Sequence, residues 1–129
     1  MNKITRKTPL TVNAPVGKYA HITKIPAGLD WYAFSGQIGV DADGNISEDF
    51  NTQVRQTFQN IHDVLEHEGL TPADIVKVNI WSVSEIDWDF FYATWDTFFN
   101  EDYPSMTIAY ITALGLPEIK LEIDVWAAK

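Results

Sequence analysis

At 129 residues, 46% of them hydrophobic, the chain is long enough for one domain with its own core, and with no cysteine it has no disulfide, thiolate metal site or cysteine nucleophile. Acidic residues outnumber basic ones 18 to 9, and the resulting net charge of −9 weighs against any task that rests on neutralising the phosphates of a nucleic acid or an anionic membrane. The basic start MNKITRKTPL is not followed by the apolar run of a signal peptide, and no stretch of about 18 apolar residues is present to span a bilayer, so a soluble, cytoplasmic protein is expected.

In chain order, residues 19–25 read as a first strand and PAGLD, 26–30, as the turn into a second strand over 31–40. That second strand is interrupted by Ser35, Gly36 and Gln37. A glycine in a strand packs no side chain, so Gly36 marks a bulge or a place where something approaches the backbone closely. After DADGN, 41–45, the residues Phe50, Val54, Phe58, Ile61 and Leu65 recur at helical spacing, and Gly69 closes the helix. TPAD, 71–74, looks like a helix start that goes no further, and residues 75–83 read as a third strand. A second helix carries the aromatic stripe Trp88, Phe91, Tyr92, Trp95, Phe98 and Phe99, with Pro104 limiting its continuation.

Strands over 105–113 and 119–128, joined by LGLPE, complete a β-β-α-β-α-β-β order. One α+β domain over residues 1–129 is expected, with both helices side by side on one face of a mixed sheet. In the last strand Ile119, Leu121, Ile123 and Val125 alternate with Lys120, Glu122, Asp124 and Trp126; in the strand before it, Met106, Ile108 and Tyr110 alternate with Ala109 and Ile111. A sheet this apolar on both faces, with two helices to cover one of them, points to self-association.

Few residues carry obvious chemistry. His62 and His67 are five apart with Glu66 between, which is not the HExxH spacing, so no metal site is expected; no nucleophile elbow, P-loop or dinucleotide fingerprint occurs. The aromatic stripe has the period of core packing rather than of a stacking platform. Glu122 stands out, because a carboxylate inside an apolar strand is costly unless it is paired or hydrated in a cleft, where it can activate water. The plainer alternative has Glu122 and Asp124 facing solvent or bridging to Lys120.

Taken together, GKY at 17–19, FSGQIGVDADGNI at 34–46, TQVRQTFQNI at 52–61, GLTPADIVKVNIWS at 69–82, YPSMTIAYI at 103–111 and IKLEIDVWA at 119–127 resemble the Rid (YjgF) family. The resemblance implies a chorismate-mutase-like fold and a homotrimer with small-molecule clefts between subunits; no cofactor is expected, and the charge and hydropathy already weigh against a nucleic-acid or membrane partner. It further implies hydrolysis of reactive imines or enamines, with Glu122 positioning or activating water and Tyr19, Ser35 and Gly36 at matching cleft positions. Three positions depart from the deaminase pattern: Met106 stands where the carboxylate-gripping arginine is expected, Ile108 where a cysteine is expected, and Tyr92 where an asparagine is expected. Lys18 is the nearest substitute cation in sequence.

Two readings stay open: a Rid-type hydrolase whose substrate lacks the usual carboxylate or is gripped differently, and a non-catalytic trimer holding a small metabolite among Tyr92, Met106, Ile108 and Trp126. Chorismate mutase chemistry needs several cations on a dicarboxylate, and endoribonuclease chemistry meets the wrong overall charge.

Overall fold

The structure is a computed structural model and describes residues 3–129. Its strands are β1 (Thr5–Lys7), β2 (Ile22–Lys24), β3 (Trp31–Ala33), β4 (Ile75–Ser82), β5 (Ser105–Tyr110) and β6 (Leu121–Ala128), and its helices are α1 (Phe50–His67) and α2 (Trp88–Phe99). β1 and β2 form a small antiparallel ribbon, while the main sheet runs in the order β3-β6-β4-β5. β6 is antiparallel to both neighbours and β4 is parallel to β5. A parallel pair needs a crossover, and α2 supplies it. LGLPE is therefore no hairpin turn: it carries the chain from the β5 edge back across β4.

Each helix begins where its sequence offers an acceptor. The Asp49 carboxylate takes the Thr52 N–H at 2.8 Å, and the Asp87 carboxylate takes the Phe90 N–H at 3.2 Å. α1 ends before Gly69, whose φ of +71° suits glycine. α2 ends one residue before the left-handed Asn100 (φ 51°), so the stop comes from Asn100 and not from Pro104. Thr71 and Asp74 cap a single 3-10 turn, Pro72–Asp74, the helix start that goes no further.

Val54, Phe58, Ile61 and Leu65 of α1 and Phe91, Trp95 and Phe99 of α2 are buried against Val78, Ile80, Leu121, Ile123 and Val125 of the sheet. Phe58 meets Phe91, Trp95 and Phe98 at centroid separations of 5.7, 6.2 and 5.1 Å, so the aromatic stripe is the seam between the helices. Gln53 is fully buried and still satisfied. Its amide donates to Ser47 O and Glu118 O and accepts from Lys120 N, which ties α1 to the segment entering β6.

Three expectations shift. The first strand is short, Ile22–Lys24, and Tyr19 precedes it in a loop. Its partner β1 comes from the basic start, where Arg6 is anchored: the guanidinium donates to Pro72 O and Ile75 O at 2.8 Å each, to Asp102 O, and lies over the Phe99 ring. The strand expected over 31–40 pairs with β6 as β3, by Phe34 N–H to Val125 O, and again by the reciprocal Gln37–Ile123 bonds, with 35–36 bowed between. The interruption at Ser35–Gly36 is thus real and local.

Candidate functional site

The two faces of the sheet carry different chemistry. Facing the helices are Val78, Ile80, Leu121, Ile123 and Val125, together with Met106 and Ile108, which sit in register with Val78 and Ile80. Facing away are Lys77, Asn79, Trp81, Thr107, Ala109, Glu122, Asp124 and Trp126, with Trp31 beside the last of these and the Lys77 ammonium donating to Thr107 Oγ1 at 2.8 Å. Trp31 and Trp126 meet edge-on at 6.2 Å and remain 56% and 43% exposed, which makes this open face partly aromatic as well as acidic.

On that face Glu122 pairs in register with Trp81 of β4, and on its other side lies the bowed segment at Gly36. A Cβ built on Gly36 would stand 2.1 Å from Glu122 Oε2 and 2.7 Å from its Cδ. What approaches Gly36 is therefore the Glu122 carboxylate itself. The missing side chain leaves the acid room to lie along the backbone next to the exposed Ser35. Among the described residues Glu122 has no ion-pair partner.

Asp124, two residues along the same face, is held differently. One of its oxygens accepts from Asn79 Nδ2 at 2.9 Å and the other from Trp81 Nε1 at 2.8 Å. The suggested bridge from Lys120 to either acid does not form, because Lys120 Nζ is turned to Glu48 O at 2.7 Å. Asp124 thus clamps the indole that walls Glu122, and Glu122 is the freer acid of the two. Asn79 and Trp81 were not among the candidate residues; their signal was the polar–apolar alternation of VNIWS at 78–82, which places both on the face of Glu122.

The remaining candidates gather elsewhere. The Tyr92 hydroxyl accepts from Lys18 N at 3.3 Å and fills the space a Cβ on Gly17 would need, 2.6 Å away. The Tyr19 hydroxyl accepts from Val16 N, and its ring meets His21 edge-on at 5.6 Å. Tyr92, on α2, and Met106 and Ile108, on β5, are half-buried and pack against the core. The pleat thus puts Met106 and Ile108 on the opposite side of the sheet from Glu122, and one chain does not bring the candidate residues into a single pocket.

Lys18, the candidate substitute for the missing arginine, is already engaged. Its ammonium bonds to Asp96 at 2.5 Å, the Tyr103 hydroxyl donates to the other Asp96 oxygen at 2.7 Å, and Lys18 lies over the Tyr92 and Tyr103 rings. The hydrogen bond from Lys18, then that from Tyr103, holds the Asp96 carboxyl below the usual carboxylate range. The bond to Asp96 raises both the Lys18 ammonium and the Tyr103 hydroxyl above their ordinary values.

In a sequence comparison the family described as Endoribonuclease L-PSP matches residues 11–129. The chain belongs to the Rid (YjgF) family. A 2-iminobutanoate/2-iminopropanoate deaminase of Salmonella typhimurium is 31% identical over 127 residues, covering 95% of this chain and 98% of that protein. Among solved structures, the Rid-family protein YyfB of Yersinia pestis, described as of unknown function, superposes with a TM-score of 0.87 at 26% identity over the whole of both chains. E. coli TdcF with bound serine superposes at 0.70 with 26% identity, covering 97% of this chain and 95% of that one. These likenesses bear out the chorismate-mutase-like α+β fold of the Rid proteins.

Proposed function

We propose that three copies of this chain assemble through their open sheet faces and bind a small metabolite in clefts between subunits, where Glu122 activates water for hydrolysis of a carboxylate-free imine or enamine. The observation that carries this reading is Glu122 laid over Gly36, in no ion pair among the described residues and beside the exposed Ser35. Glu122 on the open face and the half-buried Met106 and Ile108 on the edge strand β5 are each left incomplete by one chain, which supports a cleft to which a second copy contributes along that edge. The deaminase of Salmonella typhimurium and the serine-bound TdcF support a small nitrogen-containing ligand.

In this reading Glu122 takes a proton from water as the oxygen attacks the imine carbon and passes it to nitrogen, giving a carbinolamine; it then takes the carbinolamine hydroxyl proton and passes that to nitrogen as the C–N bond breaks. Water and imine are consumed; a carbonyl compound and ammonia leave, with no net change at the acid. A carboxylate on the substrate would find no arginine at Met106, and Lys18 is spent on Asp96. A charge-assisted hydrogen bond contributes about 1.5–3 kcal/mol, so this cleft favours an uncharged body lying on Tyr92, Met106 and Ile108.

The test is hydrolysis of freshly generated 2-iminobutanoate alongside an uncharged ketimine of similar size. Faster turnover of the uncharged imine, lost in Glu122→Gln with the assembly intact, is expected. Turnover unchanged in Glu122→Gln removes the acid from the mechanism. The second reading, a binding trimer without turnover, is favoured by Met106, Ile108 and the engaged Lys18, and it is the conclusion if neither imine is hydrolysed faster than in buffer.

A further inference from the structure

On the outer side of the helix layer, away from the sheet, α1 and α2 leave a groove of about 420 Å³, within the range of about 300–1,000 Å³ typical of small-molecule sites. Phe58 and Phe98 are at its base and the half-buried Phe90 is at one side. Phe90 falls outside the aromatic stripe, packs against the edge of the core and, being half-buried, still borders the groove.

The groove is more apolar than its sequence implies. Thr94 and Thr97 donate their hydroxyls to Phe90 O and Ala93 O within α2, and the Gln59 amide is turned to Asp63 at 2.9 Å. The polar function left over is Arg55, whose guanidinium lies 5.3 Å from the centre of the Phe90 ring. Among the described residues Arg55 has no acid within ion-pairing distance, whereas the other arginine, Arg6, is bound to three carbonyl oxygens and lies beside Asp102. At the groove's far end His62 is flanked by Asp63 and Glu66 at 3.6 and 3.9 Å, which makes that end unsuited to an anion.

We infer that this groove is a second ligand site, independent of the intersubunit cleft, and that it takes a small aromatic or branched monocarboxylate with its apolar body on Phe58, Phe90 and Phe98 and its carboxylate on Arg55. Charge complementarity commits the orientation: in a chain of net charge −9, Arg55 borders the groove without an ion pair among the described residues, acting on Asp49 only at longer range, and the opposite end is acidic. A guanidinium over an aromatic ring still has N–H groups to offer a carboxylate.

The probe is 3-phenylpropanoate, titrated into the isotope-labelled full chain and followed by amide shifts, with 3-phenylpropanamide as the uncharged control. Saturable shifts confined to residues 55–62 and 90–98 are expected, weakened about tenfold both for the amide and in Arg55→Gln, and unchanged in Glu122→Gln. Because Glu122→Gln tests the cleft and Arg55→Gln the groove, failure of one reading is distinguishable from failure of the other. Ala93→Phe, which fills the groove from an exposed position, is expected to abolish the shifts even if Arg55→Gln alters the helix. The inference is overturned by no saturation up to about 10 mM, by shifts gathered around Glu122, or by equal affinity in Arg55→Gln.

Discussion

Gly36 and Glu122 show how much one absent methyl group decides. With any side chain at position 36, the Glu122 carboxylate loses its resting place along the backbone, but it sits at the end of a flexible side chain and can swing aside. Gly36→Ala is therefore expected to cost stability only modestly, about 1 kcal/mol, while lowering imine turnover at least about tenfold. Urea unfolding read beside the hydrolysis assay checks the split; equal turnover would show that the position of Glu122 does not matter. At Lys18 and Asp96 the linkage has a definite sign. Asp96 has a depressed folded pKa, so its contribution is present above the unfolded value, about 3.9, and is lost as pH falls through the lower folded one. Lys18 has a raised folded pKa, so its contribution holds below about 10.4 and is lost as pH rises beyond it. The stability difference between the parent and Asp96→Asn is thus expected to be steady near neutrality and to shrink below about pH 4, followed by thermal unfolding across pH.

Between elements, the glycine that approaches backbone is Gly39, where the chain runs against α1. A Cβ there would lie 2.7 Å from Gln53 Cα and 2.8 Å from Gln53 O, and backbone cannot swing aside as a carboxylate can. Gly39→Ala is expected to cost about 1–3 kcal/mol, clearly more than Gly36→Ala, and the ranking of urea midpoints tests it. The same stretch of α1 holds Gln53, whose fully buried amide joins three backbone groups. Replacing it with leucine of similar bulk strands those groups, at about 1–3 kcal/mol for each one left unsatisfied. The segment 36–48, nearly devoid of regular structure, is nonetheless fixed against both β6 and α1: it is pinned by Gln37 to Ile123 and by Asn60 Nδ2 of α1 to Ile38 O and Val40 O.

For the whole molecule, the open face is the feature that one chain leaves unfinished. Trp31 and Trp126 stand exposed beside buried Ala128, and β5 is an edge of the sheet. The trimer proposed above covers that face, so Trp126→Glu, which adds a charge next to Asp124 and Glu122, is expected to shift sedimentation from three chains toward one. Because Trp126 lies outside the core, far-ultraviolet circular dichroism is expected to stay unchanged. A parent protein sedimenting as a single chain would remove the intersubunit cleft, and with it the proposed meeting of Glu122 with Met106 and Ile108.

The amino-acid sequence by itself determined what depends on local periodicity and local chemistry. Apolar spacing of 3.6 residues placed both helices, alternation placed Glu122, Asp124 and Trp126 on one face of the last strand, and Gly36 announced a close approach before its partner was visible. The motifs carried the family, and with it the fold. Only the tertiary structure decided matters that join residues far apart in the chain: that the basic start forms a strand anchored by Arg6, that β6 inserts between β3 and β4, that Lys18 is committed to Asp96, and that Arg55 is not committed to any described acid. Periodicity reports which way a side chain points from its own backbone. It carries no information about which distant oxygen or ring lies there, since that is set by strand order and register, and these follow from the burial of the whole core at once.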